Sequence, residues 1–407
     1  LGKVVFAILV FIALLLGAAI GVVWILPMPF FSEVVVEPPA ITGSDAELAR
    51  GRKLVTAACG GCHGAADDSR LRGRAMIELP SRWGKLTSPN LTRHKSAGLG
   101  AVGDAEIARA LRCGIARDGG FMPPYMPRYD RIADDDLAAM LAFLRSEDPL
   151  VESSSSRPGE SKPSIWIKLQ SQLVWRPKPA PAQAIPVPSP RDGEALGKYL
   201  VEDLLQCNAC HGSGLEALAL DDPRQDPNFL GGGMLLSDVN GKKIYAANLT
   251  FDEDTGIGAW SFDDFRRAMT EGRRADGTLL RWPMRRYPML DEAELAAIYA
   301  YLANVPVVVR VRPAVDPYPI PGQRLDRGRH LFFKHECYTC HGDKAPHGAL
   351  IDAAEHFATD AAMAEFLRDP SVTKPGTPMP AYGGVLEEAD LLAVAAYVRS
   401  VAPAQPK

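Results

Sequence analysis

Apolar residues fall into three patterns along this chain. The first is an unbroken run, Val4 to Leu26, with no charged residue over 23 positions. Such a run is long enough to cross a bilayer. A cleavable leader has a shorter apolar region and a small-residue cleavage site, whereas this run leads into Pro27-Met28-Pro29-Phe30-Phe31. The reading is therefore a retained N-terminal transmembrane helix. Lys3 precedes it and Glu33 and Glu37 follow it, which puts the N-terminus in the cytoplasm and the remainder outside. The second pattern is a helical stripe that occurs three times, over Asp45–Ala57 (Leu48, Leu54 and Val55 on one face), Gly193–Leu205 and Arg324–Lys334. Each stretch carries a mid-helix glycine, Gly51, Gly197 or Gly328. Glycine costs stability there, so each predicts close approach by another helix. The third pattern is a closing helix, starting at Asp134, Asp291 and Glu387 with acidic residues in its first turn. Phe143, Tyr301 and Tyr397 fall six residues after a leading Leu in these helices, and are expected to pack on the glycine-bearing helix.

The first two units align internally. Asn90-Leu91-Thr92 matches Asn248-Leu249-Thr250, Gly114 matches Gly272, Met126 matches Met284, Tyr129 matches Tyr287 and Leu137 matches Leu295, all at an offset of 158. Such self-similarity marks a repeated fold. Upstream the offset is 148, which implies a ten-residue insertion early in the second unit. The chain thus divides into an N-terminal anchor (1–31), units at 43–148, 191–304 and 323–403, and linkers at 149–190 and 305–322. The first linker is Ser/Pro-rich around an apolar island, Ser164–Trp175, expected to pack within the chain. The second is Val/Pro-rich and predicted extended.

Between the paired helices of each unit lies one five-residue pattern: Cys59-Gly60-Gly61-Cys62-His63, Cys207-Asn208-Ala209-Cys210-His211 and Cys337-Tyr338-Thr339-Cys340-His341. C-x-x-C-H is the attachment signature of c-type haem. Two cysteines a helical turn apart can form thioethers to one porphyrin edge, and the adjoining His can ligate iron. A structural zinc site would need a further ligand pair at set spacing, and none follows. Gly64, Gly212 and Gly342 follow the motifs and are expected to let the backbone turn tightly. Six of seven cysteines are used, leaving Cys113 as a free thiol near a helix end.

A loop methionine in each unit is the candidate sixth ligand: Met126 in FMPPYMPRYD, Met284 in LLRWPMRRYP and Met379 in PGTPMPAYGG. Neighbouring prolines would stiffen these loops. Competitors are Met122, Met289, His335, His347, His356 and Met363. Seven arginines (Arg266, Arg267, Arg273, Arg274, Arg281, Arg285 and Arg286) make the second unit locally basic; some are expected to pair with haem propionates. The two Asn-Leu-Thr triplets match a glycosylation sequon, but are read as turn residues near a haem edge. Net charge is −4 and the pI near 6.1, a balance that does not point to nucleic acid. No nucleophile–base pair stands out, so no catalytic residue is assigned.

The order helix, C-x-x-C-H, Met-bearing loop, closing helix resembles the class I cytochrome c fold, three times over. More narrowly, the pattern N-L-T…T-G-I-G-A-W-S…D-G…P-M…Y from Asn248 to Tyr287 looks like the triheme cytochrome subunit of membrane-bound alcohol, gluconate, sorbitol and aldehyde dehydrogenases. That resemblance implies an all-α, membrane-tethered protein with its haem domains in the periplasm of a bacterium. It would carry three haem c groups ligated by His63/Met126, His211/Met284 and His341/Met379. Its partners would be the other subunits of an oxidoreductase, with quinone or a soluble cytochrome as acceptor. Alternative roles are delivery of electrons to a terminal oxidase and, third, a stand-alone haem enzyme.

Overall fold

The computed structural model describes residues 5, 6, 10, 11, 21, 27–31, 33–64, 70–218, 220–237, 243–276, 280, 283–310, 324–335, 337, 356–374 and 379–401. The first unit comprises α1 (Asp45–Ala58), α2 (Gly60–His63), β1 (Gly84–Lys85), α3 (Asp104–Cys113) and α4 (Asp134–Arg145). The linker contributes β2 (Lys162–Pro163) and α5 (Ile165–Leu173). The second unit holds α6 (Gly193–Lys198), a π-helical segment (Tyr199–Leu204), α7 (Asn208–His211), α8 (Leu215–Leu218), β3 (Leu235–Ser237), β4 (Lys243–Tyr245), α9 (Phe262–Glu271) and α10 (Glu292–Ala303). The third holds α11 (Arg324–Lys334), α12 (Asp360–Arg368), α13 (Pro370–Thr373) and α14 (Glu388–Val401).

Two expectations are overturned. The fold is not all-α: β1 pairs antiparallel with β2, and β3 with β4. The first pair arises because the linker folds back over the first unit. The second is a hairpin between the second haem motif and its Asn-Leu-Thr triplet, where that unit's insertion lies. Nor is an N-terminal transmembrane helix found. No helix among the described residues is long and apolar enough to cross a membrane, and most of residues 4–26 lie outside the described residues.

Each unit is built on the crossing of its approach and closing helices. A methyl group at Gly51 would overlap the carbonyl of Ala139 and come within 2.8 Å of Phe143 Cβ. Gly197 stands in the same relation to Ala297 and Tyr301 Cβ (2.7 Å), and Gly328 to Ala393 and Tyr397 Cβ (2.8 Å). The glycine–aromatic contact read from the sequence is thus present three times. The helix ends are defined locally: Ser44 caps α1 by accepting from Glu47 N, Asp291 and Glu294 form a capping box on α10, and α3 and α9 end on left-handed Gly114 and Gly272.

The first two units share one continuous hydrophobic core, including Leu54, Leu141 and Phe143 from one and Leu200, Ile298 and Leu302 from the other. Buried Asp136 takes Arg50 on one side and the Tyr199 hydroxyl (2.6 Å) on the other. Lys53 reaches Glu294 (2.5 Å), and Arg131 reaches Asp203 (2.7 Å). A second cluster seats the linker. Ile167 is fully buried among Trp83, Leu86, Leu215 and Leu236, and Trp166 stacks edge-on against Trp175. The apolar island therefore packs within the chain. The third unit has a core of its own, centred on Leu331, Leu391 and Val394.

Because each crossing leaves no room for a methyl, Gly51→Ala, Gly197→Ala or Gly328→Ala should each destabilise the chain by about 1–3 kcal/mol. In an uncrowded helix interior the same change stabilises by ~1 kcal/mol, so thermal denaturation reads the sign directly.

Candidate haem-attachment sites

α1 delivers the first motif. Cys59 N bonds Val55 O (2.9 Å), and α2 then winds so that His63 N bonds Cys59 O (2.9 Å). The second motif arrives differently. Its approach has two more residues between glycine and cysteine than the first. The chain absorbs them by widening into the π-helical turn, where Leu205 N reaches Leu200 O (2.9 Å), and by placing Gln206 at φ 48°. His211 N then bonds Cys207 O (2.9 Å), as in the first unit.

Both histidines are buried and held by the same bond. His63 Nδ1 lies 2.9 Å from Pro89 O, and His211 Nδ1 lies 2.7 Å from Ala247 O. An Nδ1–H donated to a carbonyl leaves Nε2 with the lone pair, the form that ligates a metal, and the bond raises ligand basicity. Burial, with Arg74 adding to it, lowers the His63 pKa to about 4 against the pull of the Pro89 carbonyl. The ring is therefore neutral at pH 7. The paired thiols Cys59/Cys62 and Cys207/Cys210 are free, and burial raises Cys59 and Cys207 to about 12. Among the described residues no cluster of three or more His, Cys, Asp or Glu side chains is placed to hold a metal ion. Paired free thiols beside a neutral, oriented imidazole suit covalent attachment of a haem.

The carbonyls that hold the histidines belong to residues immediately before the two Asn-Leu-Thr triplets, and the triplets clamp the outgoing chain. Asn90 is 3% exposed. Its Oδ1 accepts from Thr92 N (2.8 Å), while Nδ2 donates to Ser154 O (2.7 Å) and Ser156 O (3.0 Å). Asn248 likewise accepts from Thr250 N (2.9 Å) and donates to Val308 O (2.6 Å), and Val308 N donates back to Thr250 Oγ1 (3.1 Å). Leu91 N bonds Leu71 O and Leu249 N bonds Leu230 O (2.7 and 2.8 Å). With their amides spent inside the protein, these asparagines are structural latches.

Further supports escaped the sequence reading. Arg74 Nη2 donates to Gly61 O (2.8 Å) and Ser88 Oγ to Cys62 O (2.5 Å). In the second unit Asp226 accepts from Ser213 N (2.8 Å) and Asn208 Nδ2 (3.1 Å). Gly64 and Gly212 take φ of −67° and −121°, so neither is needed for a left-handed turn; a Cβ on Gly212 would instead overlap Asn208 and Asp226.

Met126 and Met284 are half-buried against the core that contains Cys59 and Cys207, and Met379 against the core that touches Cys337. Of the competitors, Met363 is buried in the third core; Cys113, expected as a free thiol near a helix end, is a fully buried free thiol at the end of α3. Cys340, His341 and His347 lie outside the described residues. Four arginines of the second unit have partners within the protein. Arg266 and Arg267 pair with Asp263 and Asp264 on their own helix, Arg273 donates to Ala381 O of the third unit (2.9 Å), and Arg285 donates to Ala57 O and Thr56 O of the first (3.0 and 3.1 Å).

Residues 48–148 match the cytochrome c family, and residues 323–398 match the family of subunit III of cbb3-type cytochrome c oxidase. The chain therefore contains cytochrome c domains, which imply covalently bound haem c. Over 284 residues it is 28% identical to the fructose dehydrogenase cytochrome subunit of Gluconobacter japonicus, covering 66% of this chain and 55% of that one. It is 29% identical over 265 residues to the cytochrome c subunit of alcohol dehydrogenase (quinone) of Gluconacetobacter polyoxogenes (61% and 54%). It is 28% identical over 276 residues to the gluconate 2-dehydrogenase cytochrome c subunit of Pantoea cypripedii (64% and 60%). The chain thus spans a little over half the length of these relatives.

Asn90→Ala should cost about 1–3 kcal/mol, because it leaves the carbonyls of Ser154 and Ser156 unpaired. Amide exchange should rise over residues 152–158, and over 305–310 for Asn248→Ala. Asn90→Asp keeps the acceptor for Thr92 N but sets a buried carboxylate oxygen against both carbonyls, and should cost at least as much as Asn90→Ala.

Proposed function

We propose that this chain is a multihaem c-type cytochrome that carries electrons as the cytochrome subunit of a dehydrogenase complex. Three haems would be bound through Cys59/Cys62, Cys207/Cys210 and Cys337/Cys340, with His63/Met126, His211/Met284 and His341/Met379 as axial pairs. Each haem supplies one-electron chemistry between ferric and ferrous iron. The chain's residues would anchor it and hold the imidazoles oriented. The carrying observation is the repeated bond from a motif histidine to the carbonyl preceding Asn-Leu-Thr, at 2.9 and 2.7 Å. The names of the relatives support the dehydrogenase setting. A catalytic subunit would supply electrons, and quinone or another cytochrome would accept them, on the periplasmic side where such haems are attached. A second reading, delivery of electrons to a terminal oxidase, is favoured by the match of residues 323–398 to an oxidase subunit family.

Intact mass after acid and organic extraction should show three retained haems, and two for the Cys59→Ala/Cys62→Ala variant. Met126→Leu, Met284→Leu and Met379→Leu should each convert one low-spin haem to high spin. Fewer than three retained haems in the parent would refute the haem count. Co-purification with a dehydrogenase catalytic subunit, as against oxidase subunits, separates the two settings.

A further inference from the structure

We propose that Arg285 is the positioning residue of the contact between the first and second haem units: it docks the first attachment segment against the second, and its charge raises the reduction potential of the first haem. The inference rests on the reading that both motifs carry haem. Arg285 follows Met284, the candidate sixth ligand of the second unit, yet its side chain leaves that unit. Nη1 donates to Ala57 O (3.0 Å) and Nη2 to Thr56 O (3.1 Å), both in the last turn of α1 just ahead of Cys59. These are helix carbonyls without partners in their own helix, where a cation is favoured. The guanidinium also lies 5.9 Å from the centre of the Tyr287 ring. Tyr287 in turn is within electrostatic reach of Cys62, Cys207 and Cys210 together, as Cys210 is of Cys62. The two attachment segments are therefore neighbours, and Arg285 reaches from the second unit onto the first with Tyr287 beside it.

The first motif is shaped to admit this side chain. A Cβ on Gly60 would lie 2.9 Å from Arg285 Nη2, and one on Gly61 would overlap its Cδ. The other motifs show that C-x-x-C-H does not itself require glycine, since they carry Asn208-Ala209 and Tyr338-Thr339 at these positions. The glycine pair is specific to the unit that Arg285 covers. A permanent cation there disfavours the more positive ferric haem and so favours the reduced state of the first haem. The step served is the passage of one electron from a ferrous to a ferric haem, with no bond made or broken and no proton required.

The test uses the full chain with its haems attached. Intact mass is read first, so that loss of a haem, which would count against the underlying reading, is distinguished from an effect of Arg285. With all haems retained, Arg285→Gln should lower one midpoint potential by the equivalent of about threefold to tenfold in its reduction equilibrium, or ~30–60 mV at 59 mV per decade. It should also slow photo-initiated exchange between haems several-fold. Arg285→Lys should keep the potential near the parent value but slow exchange, since an ammonium cannot span both carbonyls. Gly61→Ala places at this position the residue that the second motif already has, and should slow exchange by displacing the arginine. Parent-like potentials and exchange rates in both Arg285→Gln and Gly61→Ala, with haem content intact, would overturn the proposal.

Discussion

An imidazole whose Nδ1–H is tied to a main-chain carbonyl is the interaction on which the rest of each described attachment site depends. It fixes the tautomer, aims Nε2 and sets ligand basicity. The bond is only as firm as the loop that supplies the carbonyl. That loop is held by the next residue, Asn90 or Asn248, whose amide grips the chain leaving the unit. The first residues of each linker therefore brace the loop that holds the histidine. The first linker continues from its latch into β2 and then into α5, which closes over Trp83 and Leu236. Ser/Pro-rich composition, which reads as flexible spacer, is here held by buried side-chain bonds.

The second unit shows how the same frame tolerates change. Its longer approach is taken up by a π turn without altering the Gly197 crossing or the His211 bond. The second unit keeps Leu200 and Val201 where the first packs Leu54 and Val55, but has Tyr301 where the first has Phe143, and Tyr301 hydrogen-bonds to Glu202. Arg224 lies 3.5 Å from that carboxylate, in reach of a charge that would otherwise be costly to bury. The crossing and the histidine anchor persist; the filling between them varies.

The helices, their glycine crossings and the attachment motifs were legible because each has a short-range signature: a 3.6-residue stripe, a mid-helix Gly, a five-residue pattern. Supports that depend on long-range folding were not. Arg74 and Ser88 carry no local mark, and the sequence shows the charge of the second unit's arginines without showing that Arg285 and Arg273 reach the first and third units. The strands were missed for the same reason: β1 and β2 are two residues each and pair only because a linker returns across the first unit. One signal was available. The repeated Asn-Leu-Thr triplets were recognised as special, and the residue before each is where the histidine bonds.

The contacts between units differ in kind, and this bears on how electrons would move among them. The first two share a continuous core, a buried Asp136–Tyr199 bond and the Arg285 clasp. Separating them would expose apolar area and leave buried polar groups unpaired, so their spacing is part of the fold. The third unit has its own core and meets the second where Arg273 donates to Ala381 O, two residues beyond Met379. A guanidinium–carbonyl bond at a domain boundary holds less firmly than a shared core. The spacing of the first two sites is therefore set by a shared core, while a described contact of the third lies beside its candidate axial ligand. Arginines of the second unit contact both neighbours, Arg285 the first and Arg273 the third.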